Sequence, residues 1–321
     1  MKIGVDGGSL CQKNYTGNKV FTENLLKSLA LYDKKNYYHV FTYCQKNIYF
    51  GENIKICQIQ PKFGWSKISL SLNQLIHPND IFLALNQSIP FLTPKKVISF
   101  CHGLSYFFYP QFYPDSFHQL KSQLKKMIKV SDYIVVSSKK VKRELLSVFE
   151  KTERKIIILP FGIPYDMFGE VEFKNREKFF LFVGVNHPIK NIDFIKKVFK
   201  NFKKEAKDDN WQLVLVTKNY RRAALKSLYQ KATALLCASY YESFNFPALE
   251  ALSLGCPVIT LKTAIIPEME EFVYIAKNMS EFVKLMKEVA ENRKMINKQK
   301  IKKIKKKFNW QDYVFKLKQL Y

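Results

Sequence analysis

Residues 240–260 read YYESFNFPALEALSLGCPVIT. Two acids, Glu242 and Glu250, stand inside this otherwise apolar stretch. A buried carboxylate is costly unless something pairs with it. These acids are therefore either satisfied by the protein or held for a polar ligand. Pro247 suits the first turn of a helix, where its missing N–H costs nothing, and Gly255 suits the residue that ends one. The spacing predicts a helix over 247–254, preceded by the strand TALLCAS (233–239) and followed by the strand PVITL (257–261). Strand, helix, strand is a βαβ unit, the building block of a parallel sheet. The helix start would aim unpaired N–H groups at the turn 243–246, an anion site by geometry. Glu242 would lie beside that opening and Glu250 one turn further in.

The same alternation extends outward in both directions. KIGVD (2–6), YYHVFTYC (37–44), IKICQIQ (54–60), IFLAL (81–85), KVISFC (96–101), DYIVVSS (132–138) and KIIILP (155–160) read as strands. NKVFTENLLKSLALY (18–32) and residues 139–149 read as helices among them. The turn-rich FGIPYDMFGE (161–170) breaks the pattern and marks a domain boundary. A second series follows: FFLFVGV (179–185), WQLVLVT (211–217) and 233–239 as strands, 193–206 and 222–232 as helices. The fold expected is α/β, with two halves of 1–165 and 166–307 whose parallel sheets face each other across a cleft. A closing helix over 308–321 completes the chain.

Composition narrows the function. Lys and Arg total 53 against 27 Asp and Glu, a net charge of +26. Such a field attracts phosphates and anionic lipid. Only six of the basic residues are Arg. Base reading in DNA leans on arginine forks, and no RNA-binding signature interleaves the aromatics with charge, so nucleic acid is not an expected partner. The six cysteines show no metal spacing and read as small buried residues of a reducing compartment. The N-terminus reads as strand rather than signal peptide. No apolar run reaches the ~18 residues of a membrane span. The expected location is cytoplasmic, peripheral on the inner face of the cytoplasmic membrane.

ESFNFPALEALSLGCPV (242–258) resembles the signature of glycosyltransferase family 4, the retaining GT-B nucleotide-sugar transferases, usually E-G-F-G-x-P-x-x-E-A-x-x-x-G-x-P-V. Ser243 and Asn245 replace two family glycines; Asn tolerates φ > 0 better than most residues. GGSLCQKNYTGNKVFTENLL (7–26) is similar to the family's opening glycine loop, where Gly17 would let backbone amides reach the donor phosphate. SFCHGLSYFFYPQFYP (99–114) resembles the strand that ends in His-Asp, with His102 kept and Gly103 in the Asp position. VGVNHPIKN (183–191) resembles the phosphate turn G-R-x-x-x-x-K, with Lys190 matching the lysine and Val185 replacing the arginine. Between 213–217 and 228–236 a family strand and loop are missing, which predicts reduced base recognition.

The resemblance implies two Rossmann-like domains, with the closing helix (Trp310 its packing anchor) crossing back to the first. It implies a retaining hexosyltransferase using a nucleotide diphosphate sugar, with no other cofactor and no metal, on a glycan or lipid-linked glycan acceptor. Mannose from GDP-mannose is the first candidate; UDP-hexoses and dTDP-rhamnose stay open. Carried onto this chain, His102, Glu242 and Lys190 would be catalytic. Gly17, Ser243, Phe244, Asn245, Phe246 and Glu250 would bind substrate, with Glu250 on the ribose. Front-face attack, with the donor phosphate taking the acceptor's proton, needs no separate base. The alternative is a catalytically weak or inactive homologue serving an active glycosyltransferase as partner or scaffold.

Basic faces add a surface. HQLKSQLKKMIKV (118–130) sets Leu120, Leu124, Met127 and Ile128 on one helical face and Lys121, Lys125 and Lys129 at intervals of four. SSKKVKRELL (137–146) adds four more cations, and residues 293–307 hold nine basic residues and no acid. Together they point to an anionic leaflet.

Overall fold

The computed structural model describes every residue except 61, 63, 66, 88, 170, 172–175, 207–209, 219 and 292–295. The start of the basic run at 293–307 and the end of the turn-rich 161–170 thus lie outside the described residues. The chain forms two compact units, Met1–Gly162 with Trp310–Tyr321, and Ile163–Asn309.

The first unit runs β1 (Lys2–Asp6), α1 (Gly17–Tyr32), β2 (Tyr37–Thr42), β3 (Ile54–Gln58), α2 (Ser69–Ile76), β4 (Ile81–Ala84), β5 (Lys96–Cys101), α3 (Ser105–Phe108), α4 (Phe117–Val130), β6 (Tyr133–Val136), α5 (Lys139–Val148) and β7 (Ile156–Ile158). Its seven strands are all parallel in the order β3-β2-β1-β4-β5-β6-β7. Helices cover both faces of such a sheet, so central strands read as unbroken apolar runs, and β4 is buried at every residue. Side chains start the helices: Thr16 accepts from Lys19 N at α1, and Ser138 from Val141 N at α5.

The second unit runs β8 (Glu177–Val183), α6 (Ile192–Ala206), β9 (Gln212–Val216), α7 (Arg222–Lys231), β10 (Ala232–Cys237), α8 (Phe246–Ser253), β11 (Val258–Leu261), β12 (Tyr274–Ala276), α9 (Met279–Ala290) and α10 (Lys298–Lys307). Its five parallel strands order as β12-β11-β10-β8-β9. β9 is an edge strand leading through a short segment to α7. Phe180 stacks on Trp211 at 5.3 Å, and Phe202 meets both rings edge-on.

The last helix, α11 (Trp310–Lys318), belongs to the first unit. Trp310 stacks parallel to Phe161 at 6.5 Å, and both Trp310 and Tyr313 pack on Phe21. Gly162 makes room for the indole, since a Cβ there would fall 2.5 Å from Trp310 Cδ1. Lys318 reaches the fully buried Asp33 at 3.2 Å. The Trp310 anchor, which the family resemblance implied, and the α/β architecture of two parallel sheets, which the residue pattern predicted, are as expected.

The cysteines differ from expectation. Cys11 and Cys44 are joined in a disulfide that ties the loop after β1 to the end of β2. They lie 33 positions apart in sequence, with no spacing motif to signal the pair. Cys101, Cys237 and Cys256 are free and buried; Cys57 is free and half-buried.

Candidate active site

In the second sheet β9 lies on one side of β8 and β10 on the other. Where winding reverses in this way, the carboxyl ends of the two strands form the natural ligand position of an open parallel sheet. Two sequence-predicted residues meet there. Lys190 closes the turn after β8, and Glu242 sits in the loop after β10. Lys190 Nζ donates to Glu242 Oε1 at 2.5 Å, and Ser239 Oγ donates to the same oxygen at 2.7 Å.

The two loops are stitched together by backbone. Tyr240 N donates to Ile189 O at 2.9 Å, and Asn191 Nδ2 to Ala238 O at 3.2 Å. Asn191 adopts the left-handed region (φ 52°) to end the 188–190 turn. Thr263 Oγ1, beyond β11, anchors Ser239 O at 2.8 Å. The Lys190–Glu242 pair is thus held by the ends of three strands. It keeps solvent contact, with the two side chains 21% and 12% exposed.

Asn245 does the work of the glycine it replaces. Its φ is 72°, a conformation that costs most side chains about 1–2 kcal/mol but that Asn tolerates. Its Oδ1 accepts from Ala248 N at 3.0 Å, and its Nδ2 donates to Ala264 O at 2.8 Å. Asn245→Ala should therefore destabilise by about 2–3 kcal/mol, through lost capping and left-handed strain. Asn245→Gly should cost about 1 kcal/mol. Chemical denaturation of both variants checks the order.

That cap takes up a donor that the anion site expected at the start of α8 would use. Pro247 has no N–H, Ala248 N is spent on Asn245 Oδ1, and Leu249 N bonds Asn245 O. The side chains of Phe244, Asn245 and Phe246 are also buried. Phe244 packs against Phe246 and Phe308, so these residues shape the loop from beneath. Ser243 is half-buried.

Glu250 differs more sharply from its expected place on the ribose. Only 2% exposed, it accepts from Arg222 Nη2 at 2.7 Å on Oε1 and from Tyr229 Oη at 3.0 Å on Oε2. Arg222 also holds Asp166 with a two-pronged contact at 2.8 and 3.0 Å. Both Glu250 oxygens are thus engaged by protein. Burial raises the Glu250 carboxyl against the opposing pull of Arg222. Arg222 stays charged despite burial, held by Glu250 and Asp166. It is consequently not a substitute for the arginine absent at Val185. This network was missed in the sequence because its partners are 28 and 56 residues apart.

In the first unit, His102 follows the carboxyl end of β5. Its Nε2 lies 2.7 Å from Leu85 O, and since a carbonyl only accepts, Nε2 carries the proton. Nδ1 then presents a lone pair. Phe21 packs against the ring at 4.9 Å. Burial lowers the imidazole pKa from 6.5 to about 4. The folded state therefore resists protonation. Its contribution to stability is complete above pH 6.5 and is lost as pH falls toward 4, about 3 kcal/mol in all. An NMR titration of the His102 ring should show a midpoint near 4; a midpoint at 6.5 would contradict the placement.

Gly17 begins α1 and is exposed. The loop before it is fixed by the Cys11–Cys44 bond and by Lys19 Nζ on Gln12 O at 3.0 Å. Asp6 is a buried residue that sequence reading passed over. It ends β1 at the first sheet's own switch point, between β1 and β4, and accepts from Gly8 N at 3.0 Å and Asn86 Nδ2 at 3.1 Å. Burial pushes its carboxyl up to about 6. The signal was the Asp-Gly-Gly at the end of an apolar strand.

Both the sequence and the fold resemble known glycosyltransferases. Residues 214–308 match the family model described as Glycosyl transferases group 1. The chain is 28% identical over 189 residues to the O-antigen chain mannosyltransferase RfbU of Salmonella typhimurium, covering 50% of this chain and 51% of that protein. It thus spans about half the length of the curated relative it matches. Sucrose-phosphate synthase from Thermosynechococcus elongatus gives a TM-score of 0.74 at 15% identity, over 100% of this chain and 98% of that one. WaaG, a glycosyltransferase involved in lipopolysaccharide biosynthesis, gives 0.67 at 14% identity, over 98% and 95%. At these identities the structural likeness speaks for the fold.

Proposed function

We propose that this chain, whose residues 214–308 match the glycosyl transferases group 1 family model, transfers a hexose from a nucleotide diphosphate sugar to a glycan or lipid-linked glycan in the assembly of a surface polysaccharide. The observation that carries the reading is the Lys190–Glu242 pair at the β8/β10 switch point. An ammonium there faces the charge that grows on a departing diphosphate, and the carboxylate is a good acceptor for sugar hydroxyls. Lys190 has three N–H groups and gives one to Glu242, so the pair can hold its own geometry and a phosphate together.

His102 Nδ1 is a neutral acceptor for a sugar hydroxyl, and Gly17 opens backbone to the donor phosphate. Glu250, engaged by Arg222 and Tyr229, supports the floor of the site rather than the ribose. The mannosyltransferase relative makes mannose the first donor sugar to test. Lys190 supplies the neutralising charge, so a chelator should leave turnover unchanged. Retention of anomeric configuration follows if the donor phosphate takes the acceptor's proton. The basic helices α4 and α5 hold the protein to the anionic inner leaflet, where a lipid-linked acceptor resides.

A second reading, a catalytically weak partner of an active transferase, is favoured by Val185, 48% exposed where an arginine fork is expected. One experiment separates the two. The full chain is screened against GDP-, UDP- and dTDP-sugars for thermal stabilisation and slow donor hydrolysis. Stabilisation and hydrolysis with one donor support the enzyme; no response to any of them supports the partner role.

A further inference from the structure

The helix α2 carries an apolar stripe on its outer side. Ile68, Leu72, Leu75 and Ile76 recur at helical spacing, and the inner positions Ser69, Leu70 and Ser71 are the buried ones. Phe91 and Leu92 extend the stripe, since their backbone N–H groups donate to Ser71 Oγ at 2.8 and 3.1 Å. The six side chains range from 45% exposed at Leu92 to 71% at Ile76. Scattered exposed apolar residues are ordinary, but a contiguous group on one face marks an interaction site.

A cation borders this face, and lysines are frequent in the segments that build it. Lys126 of α4 donates to Ile89 O and Pro90 O at 3.0 Å each, and its ammonium lies 4.6 Å from the centre of the Phe91 ring. That contact joins α4, the basic helix, to the apolar stripe. Segments 62–76, 89–96 and 117–130 together contain eight lysines and no Asp or Glu. Apolar side chains bordered by lysines, whose stems can lie along the acyl boundary while their heads reach the phosphates, match a bilayer with anionic headgroups. A second copy would bring like charge against like charge.

We propose that this face is a membrane anchor: Leu72, Leu75 and Ile76 enter the acyl boundary of an anionic bilayer while the lysines of α4 and of the flanking segments meet its headgroups. The proposal rests on the membrane-surface part of the function given above and adds to it an inserted apolar element, distinct from electrostatic attraction. It also predicts which side of the first unit faces the lipid, the side of α2 and the 89–92 turn.

The test uses the full chain and vesicles of phosphatidylcholine, alone or mixed with phosphatidylglycerol. The triple variant Leu72→Ser, Leu75→Ser, Ile76→Ser should partition to the mixed vesicles about a hundredfold less than wild type. Because the three side chains are exposed, its thermal unfolding should be unchanged. In a separate Ile76→Trp variant, the added indole fluorescence should be quenched by lipids brominated along the acyl chain. Unaltered vesicle binding by the triple variant, or indole emission in the Ile76→Trp variant that the brominated lipids leave untouched, would overturn the anchor. Loss of self-association in place of lipid binding would overturn it in favour of a second copy. Donor hydrolysis separates this proposal from the one it rests on. The triple variant should retain wild-type hydrolysis, and a chain that binds vesicles yet hydrolyses no donor counts against glycosyl transfer rather than against the anchor.

Discussion

Lys190→Ala should lower sugar transfer and donor hydrolysis about 10²–10³-fold, with most of the loss in kcat rather than KM. The size follows from removing one preorganised charge-stabilising donor from a transition state. The split follows because negative charge on the diphosphate is greatest as the glycosidic bond breaks, so the ammonium contributes more there than in the ground state. The pair with Glu242 is mostly buried and keeps an edge in solvent, and a hydrogen bond to a charged group contributes about 1.5–3 kcal/mol. The variant should unfold more readily than wild type yet still fold, and circular dichroism at the assay temperature separates lost chemistry from lost structure. Glu242→Gln keeps a hydroxyl-binding oxygen while removing the charge that orients Lys190, so its loss should be smaller. Steady-state kinetics with the donor found by the panel checks both. An unchanged kcat for Lys190→Ala would remove the residue from the chemistry.

Arg222→Ala should produce the largest loss of stability, about 3–5 kcal/mol in the second unit. The reason is Glu250, which is 2% exposed and would remain buried with Tyr229 as its one donor from the present pair. Asp166 would lose both of its contacts to the guanidinium. The double variant Arg222→Ala, Glu250→Gln should recover part of the loss, because it removes the uncompensated charge along with the cation. Hydrogen exchange read by mass spectrometry should show lost protection in β8, β10 and α8, with α11 and the first sheet unaffected. A full recovery of ligand-free stability by the double variant together with a lost nucleotide affinity would return Glu250 to the ribose role first expected for it.

The parts of this molecule that were legible in the sequence are those whose cause is local. Alternating apolar strands and amphipathic helices announced two parallel sheets, since helices covering both faces make central strands apolar throughout. The turn at 243–246 was readable because Asn is one of few residues at ease at φ 72°. Lys190 and Glu242 were both singled out, yet their contact spans 52 residues and depends on the order in which β8 and β10 pair. Nothing local encodes that order. The same holds for Arg222 with Glu250, and for Cys11 with Cys44. The helix start at Phe246 misled for a different reason. Proline in the first turn and an Asn cap are the signals of a helix beginning, and they also remove two donors, at 247 and 248, that an anion would use. The exposed stripe of α2 was hidden because helical periodicity shows that a face is apolar and leaves open whether the protein itself covers it.

The most direct measurement is a calorimetric titration of the full chain with GDP, UDP and dTDP, repeated on Lys190→Ala. One nucleoside diphosphate should bind to wild type, and the alanine variant should bind it at least about tenfold more weakly, the loss expected when a charged hydrogen-bond donor to phosphate is removed. Equal binding to both proteins, or none to either, would contradict a diphosphate site at the junction of β8 and β10.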